Sequence, residues 1–123
     1  LKLFPGINRL QIIHFFNTPE LVAVVIETFG SGNAPSDKWF KDALQSGIDA
    51  GLIIANVSQC QTGSVHQGKY ETSCIFDELG VLSGNDLTTE AAVTKLMFLF
   101  GKYEEVNTIK QKFSEPICGE LTL

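Results

Sequence analysis

The chain has 123 residues, of which 44% are hydrophobic and 19% are charged, and its net charge is −5. The length predicts a single domain, and the composition excludes an intrinsically disordered chain. Arg9 is the single arginine, so the chain lacks the clustered cations with which nucleic-acid binders neutralise phosphates. The longest apolar run, Leu21 to Ile26, is far shorter than the roughly 18 residues that span a bilayer. We therefore expect no nucleic-acid partner and no membrane partner.

Cysteine and histidine usage bears on the redox compartment and on metal binding. Cys60, Cys74 and Cys118 are an odd number at wide spacing, which favours a reducing compartment over a disulfide framework. His14 and His66 are far apart in sequence, and no cysteine pair has zinc-ribbon spacing. The chain begins without the basic region and small-residue cleavage site of a signal peptide. We therefore expect a cytoplasmic protein without structural zinc.

Strands and helices alternate along the chain in the pattern of apolar residues. In chain order we predict a strand at 1–4, a helix at 7–16, a strand at 21–26, a helix capped by Ser36 that ends at Gly51, a strand at 52–57, a short helix capped by Thr72 or Ser73, a strand at 81–82, a helix capped by Thr88, and a last helix around 106–113. The apolar stripe of the helix after Thr88 is expected at Ala92, Val93, Leu96, Met97 and Phe100. Because the first strand is already under way at Leu1, we expect a fragment of a longer protein.

Strict alternation of strands and helices predicts an α/β fold with a parallel sheet of about four strands flanked by helices. In such sheets ligands bind at the carboxyl edge of the strands. Three predicted loops leave that edge, at 29–35, 58–70 and 83–87. We therefore expect any functional site to be formed by these loops.

The residues offer few candidates for chemistry. Gly30-Ser31-Gly32 follows a strand, but Pro35 stands where the dinucleotide-binding pattern has its third glycine. Cys60 ends a strand without a nearby histidine, which favours an inert thiol over a reactive one. Thr94 and Lys95 lie in mid-helix, where adjacent side chains point to different faces. No catalytic constellation can be assembled from these residues.

Several strings resemble, in order along the chain, the C-terminal part of type I (cytoplasmic-type) L-asparaginases. They are 4–7 (FPGI), 28–35 (TFGSGNAP), 56–60 (NVSQC), 63–65 (GSV), 68–70 (GKY), 80–84 (GVLSG), 86–92 (DLTTEAA), 94–96 (TKL) and 119–122 (GELT). Each string alone is weak, but their order over essentially the whole chain is specific. The chain, residues 1–123, is therefore identified as resembling the C-terminal domain of this family.

The resemblance implies a small Rossmann-like parallel sheet and hydrolysis of L-asparagine to L-aspartate and ammonia, without metal or organic cofactor. It implies that the catalytic threonine and a Thr-Asp-Lys group lie in an N-terminal domain, with which this domain packs in a homo-oligomer, a dimer or a tetramer. Some bacterial members have a second, activating asparagine site. Its residues correspond here to Asn33 and Cys60, with Gly32, Ser58 and Glu27 as neighbours at the substrate or effector edge.

Glu27 departs from the activated members, which carry an arginine at this position. A carboxylate here would repel the carboxylate of asparagine, so we expect weak or undetectable asparagine binding. Two hypotheses follow. The chain is part of an amidohydrolase, or it is a non-catalytic ligand-sensing or interaction module with the same fold.

Overall fold

The computed structural model describes residues 1–60, 63–65 and 71–122, without the side chains of 71–73. Its elements in chain order are α1 (Arg9–Phe16), β1 (Ala23–Thr28), α2 (Lys38–Asp49), β2 (Ile53–Ser58), α3 (Glu71–Leu79), β3 (Leu82–Ser83), α4 (Thr89–Lys102) and α5 (Val106–Phe113). The predicted alternation of strands and helices is confirmed.

The three strands form one parallel sheet in the order β1-β2-β3. β1 pairs with β2 from Ala23↔Ile53 to Thr28↔Ser58. The sheet therefore has three strands and not about four. The predicted first strand is reduced to a single bridge between Lys2 and Glu27, because Pro5 and Gly6, the latter at φ 94°, turn the chain away.

Both long strands reach further towards their carboxyl ends than predicted, and they end in the polar residues Thr28 and Ser58. Thr28 and Asn56 are fully buried. The Thr28 Oγ1 atom lies 2.6 Å from Asn56 Oδ1 and 3.1 Å from the carbonyl oxygen of Val57, so its hydroxyl can donate inside the sheet. The apolar pattern ends β1 at Ile26 and not at Thr28, because it does not register a buried polar side chain that finds hydrogen-bond partners within the sheet.

Each face of the sheet is covered by its own hydrophobic cluster. Val24, Ile26 and Ile54 belong to the cluster with residues of α1, α2 and α3. Val25 and Ile53 belong to the other, with residues of α4 and α5. Because neighbouring strand residues point to opposite faces, both strands are buried on both sides, as the sequence predicts.

Helix caps were predicted with mixed success. Thr88 caps α4 as expected, and its side chain accepts a hydrogen bond from the Ala91 N–H. The residue at the N-cap of α2 is Asp37 and not Ser36. Thr72 and Ser73 lie within α3 and do not precede it. The backbone conformation just before a helix decides which residue is the N-cap, so neighbouring polar residues are alternative cap positions that the sequence does not distinguish.

The apolar stripe of α4 is only partly correct. Ala92 and Leu96 are buried as predicted, and Leu99 is buried as well. Val93 and Met97 are 40% and 68% exposed. The helix is apolar over more of its circumference than the sheet covers, so the sequence cannot choose which apolar residues face inward.

Candidate functional site

The carboxyl ends of β1 and β2 face the segment that leads into α4, and a cleft of about 440 Å³ lies between them. The strand side of the cleft presents Glu27, Ser58 and Cys60. The opposite wall, called here the cleft wall, consists of residues 86–90. The predicted ligand edge of the sheet therefore carries a cavity.

Ser58 forms the floor of the cleft at the end of β2. Its Oγ atom donates to the carbonyl oxygen of Gly30 at 2.5 Å and accepts a hydrogen bond from the Cys60 N–H at 3.0 Å. The strand end and the loop after β1 are thereby held together. Ser58 is buried and serves as a structural anchor, whereas Cys60 is exposed at the surface of the cleft.

Gln59 lies between these two residues and was not singled out from the sequence. Its Nε2 atom donates to the carbonyl oxygens of Leu3 and Glu27, at 2.6 and 2.8 Å. Its backbone N–H donates to the carbonyl oxygen of Thr28 at 2.9 Å. One side chain therefore joins the chain start, β1 and β2. No sequence pattern indicates this role, because the contacts cross 32 and 56 residues of chain.

The cleft wall contacts the strand end directly. The Thr89 hydroxyl, on the first residue of α4, donates to Glu27 Oε1 at 3.0 Å. Asp86 and Glu90 line the same cleft. Hydrogen bonds from Thr122 lower the pKa of Asp86 below its ordinary value, because they stabilise the ionised carboxylate. With Glu27, the cleft presents three carboxylates, and no lysine or arginine is among the described residues that line it.

Gly32 and Asn33 lie outside the lining of this cleft, on the turn that follows β1. The turn is closed by Phe29, whose carbonyl oxygen accepts hydrogen bonds from the N–H groups of Gly32 and Asn33 at 3.1 and 2.8 Å. Gly32 has φ 113°, and a Cβ there would lie 3.1 Å from Val65 Cγ1. Asn33 is exposed. Of the five site residues named from the sequence, the structure thus brings Glu27, Ser58 and Cys60 together in one cleft.

Thr94 and Lys95 do not form a nucleophile and its activator. The Thr94 hydroxyl donates to the carbonyl oxygen of Glu90 in the preceding turn at 2.8 Å. Lys95 is buried, and its Nζ atom lies 2.7 Å from Glu120 Oε1 and donates to the carbonyl oxygen of Glu115 at 2.7 Å. The prediction that these adjacent residues face apart is confirmed. The buried ion pair itself was missed.

Within the described part of the chain, neither a metal-binding group of side chains nor a membrane-spanning helix is found. Cys74 and Cys118 are exposed. Among the described residues, no three histidine, cysteine or acidic side chains are grouped so as to hold a metal ion. Of the helices described, the longest has 14 residues, and none is long and apolar enough to cross a membrane. His66 lies outside the described residues.

Comparison with known proteins gives the family of this chain. Residues 1–113 match the family described as glutaminase/asparaginase C-terminal domain. L-asparaginase 1 of Escherichia coli K12 is 36% identical over 122 residues, which are 99% of this chain and 36% of that protein. The 60 kDa lysophospholipase of Mus musculus is 36% identical over 124 residues, 100% of this chain and 22% of that protein.

Solved structures agree with this match. L-asparaginase I from Vibrio cholerae superposes with a TM-score of 0.92 at 34% identity and covers 100% of this chain and 37% of its own. The thermostable L-asparaginase from Thermococcus kodakarensis, at 24% identity and a TM-score of 0.88, shows the same fold. This chain spans 37% or less of the length of each of these relatives. Because the match includes 113 of its 123 residues, the chain belongs to the glutaminase/asparaginase C-terminal domain family.

Proposed function

We propose that this chain is the C-terminal domain, residues 1–123, of an L-asparaginase that hydrolyses L-asparagine with water to L-aspartate and ammonia. The observation that carries the proposal is the match of 99% of the chain to L-asparaginase 1 of Escherichia coli, of which it spans 36%. L-asparaginase of Dirofilaria immitis is likewise 36% identical, over 126 residues. The catalytic threonine and its activating groups then belong to a partner N-terminal domain of the same protein.

This domain contributes residues to the edge of a substrate or effector site. The cleft at the sheet edge, with Ser58 at its floor and Cys60 at its surface, is large enough for an amino acid. Gly32 and Asn33 would contribute from the neighbouring turn, where the Asn33 amide offers both a donor and an acceptor. Glu27 would disfavour a free carboxylate unless a cation from another domain pairs with it.

Assembly is the second contribution. We propose a cytoplasmic homo-oligomer, a dimer or a tetramer, that needs no cofactor. Val93, Met97 and Phe98 expose 40–68% of their surface along α4, and exposed apolar residues that adjoin one another are typical of association surfaces. A two-fold dimer is the commonest closed arrangement of identical subunits.

The test compares the complete natural protein with the 123-residue chain, in an assay of ammonia release from L-asparagine and from L-glutamine. The complete protein should release ammonia from L-asparagine, and the chain alone should not. The proposal is wrong if the complete protein does not hydrolyse L-asparagine, or if the chain alone does so above background.

A non-catalytic ligand-sensing module is the alternative function. The observation that favours it is the cleft at the sheet edge, which is present in this domain although the family's catalytic threonine belongs to another domain. Such a protein would bind L-asparagine in a calorimetric titration and release no ammonia. The gene sequence upstream of Leu1 also separates the two, because an asparaginase requires an N-terminal domain with the catalytic residues.

A further inference from the structure

The last described residues of the chain are held at two separate points, one on α4 and one on the segment that precedes it. In its middle, buried Lys95 pairs with Glu120, whose carboxylate also accepts hydrogen bonds from the N–H groups of Ile117 and Cys118, at distances of 2.8 to 3.1 Å. This arrangement fixes a bend just before the end of the chain. Residues 114–122 are called here the C-terminal strap.

The second contact lies in front of α4, on the cleft wall. The Thr122 N–H donates to Asp86 Oδ1 at 3.0 Å, a connection across 36 residues. Between the two contacts, Leu121 is 5% exposed and belongs to the same hydrophobic cluster as Leu87. The strap is therefore held by an ion pair, an apolar side chain and a hydrogen bond in succession.

Both Asp86 and Leu87 are part of the cleft wall. At its other end the wall touches the strand side through the hydrogen bond from Thr89 to Glu27. The position of the wall is thus set from two sides, by the strap behind it and by β1 across the cleft.

We propose that the C-terminal strap is a positioning element for the cleft: by binding Asp86 and packing in the hydrophobic cluster that contains Leu87, it holds the cleft wall at its distance from Ser58 and Cys60. The role of the strap depends neither on which ligand the cleft binds nor on asparaginase activity. Access to Cys60, exposed in the cleft, should report the position of the wall.

The test is the rate at which a thiol reagent labels each cysteine in the complete natural protein, followed by mass spectrometry of the resulting peptides. Asp86→Ala removes the acceptor for Thr122, whereas Asp86→Asn keeps an oxygen acceptor and loses the same charge. Both variants therefore change the charge near Cys60 equally. Labelling of Cys60 should be about two- to tenfold faster in Asp86→Ala than in Asp86→Asn, the range that corresponds to the loss of one ordinary hydrogen bond.

A second pair of variants acts on the strap and leaves the cleft residues unchanged. Thr122→Pro removes the N–H donor, and Thr122→Ala keeps it. The Cys60 rate should be higher in the first variant than in the second, which loses the Thr122 hydroxyl but keeps the backbone donor. Cys74, on α3 and outside the cleft, should react at the same rate in all four variants. Equal Cys60 rates within both pairs, or an equal acceleration of Cys74, would overturn the proposal, the latter because the whole fold would then have loosened.

Discussion

Lys95 and Glu120 form an ion pair with an Nζ–Oε1 distance of 2.7 Å, and their side chains are only 3% and 14% exposed. The Lys95 ammonium also lies 5.5 Å from the centre of the Phe113 ring. A charge in such a place is tolerated only with its partner, because burial removes the water that would otherwise solvate it. The pair therefore locks the end of the chain to α4.

Replacement of Lys95 by methionine should destabilise the protein by about 3 kcal/mol, since Glu120 loses its partner at a largely buried position. The double variant Lys95→Met/Glu120→Gln should recover part of this loss, because it leaves no unpaired carboxylate. Urea denaturation of the three proteins measures both effects. A double variant that is less stable than Lys95→Met would contradict the explanation.

Acid should weaken the same contact. The hydrogen bond from Lys95 is the main cause that lowers the pKa of Glu120 below its ordinary value of 4.5. A carboxyl group with a lowered pKa in the folded state contributes stability that is fully present above its unfolded pKa and is lost as the pH falls below it. The free energy of unfolding should therefore fall more steeply below about pH 4.5 in the natural protein than in Glu120→Gln. Parallel pH dependence of the two would show that Glu120 is not the group responsible.

Gly84 lies where the chain passes close to β2 after leaving β3. A Cβ at this position would lie 2.6 Å from Val57 Cγ1 and 2.8 Å from the Asn56 carbonyl oxygen. Gly84→Ala should therefore cost about 1–3 kcal/mol through overpacking. Gly101→Ala in α4 is the control. A Cβ there meets nothing within 4 Å, so the helix propensity of alanine should stabilise the protein by up to about 1 kcal/mol. Thermal unfolding of both variants distinguishes a local steric effect from a general intolerance of alanine.

Glu27 should decide how the cleft treats amino acids. With Asp86 and Glu90 it makes the cleft negatively charged, so the natural chain should bind L-asparagine weakly or not at all. Glu27→Arg should improve binding, provided that Ser58 and Cys60 stay in place. Calorimetric titration of both forms is the measurement, with Glu104→Arg, outside the cleft lining, as the control for the change in net charge. Tight binding by the natural chain would refute the assignment of Glu27.

Met97 should contribute to self-association. It is 68% exposed and lies with Val93 and Val22 on an apolar groove of about 300 Å³ between α4 and the start of β1. Met97→Glu places a charge on this surface and should shift the protein towards the monomer, whereas Gln11→Glu, on the exposed side of α1, should not. Light scattering over a range of concentrations tests this prediction. A natural protein that stays monomeric at high concentration would contradict it.

Local chemistry determined much of the fold in advance. Val24, Val25 and Ile54 are apolar on both faces of their strands, so burial between two helical layers follows from the composition of the strands alone. Gly51 and Gly80 occupy positive φ angles of 97° and 74°, as expected of residues that end helices. Thr88 has the side chain that a helix N-terminus requires, and it caps α4. Such features depend on neighbours a few residues away, which the sequence shows directly.

The site depended on the tertiary structure. From its sequence position Glu27 could be assigned to a strand end, but its hydrogen bond with Thr89 joins residues 62 positions apart. In the sequence Lys95 is an ordinary polar residue of a helix. Its burial depends on Glu120, which lies beyond α5 in sequence and next to Lys95 in the structure. The side on which α4 meets the sheet likewise decided that Leu99 is buried and Met97 exposed. The periodicity of an element reports which residues can be buried, whereas the partner of a buried charge is set by the path of the whole chain.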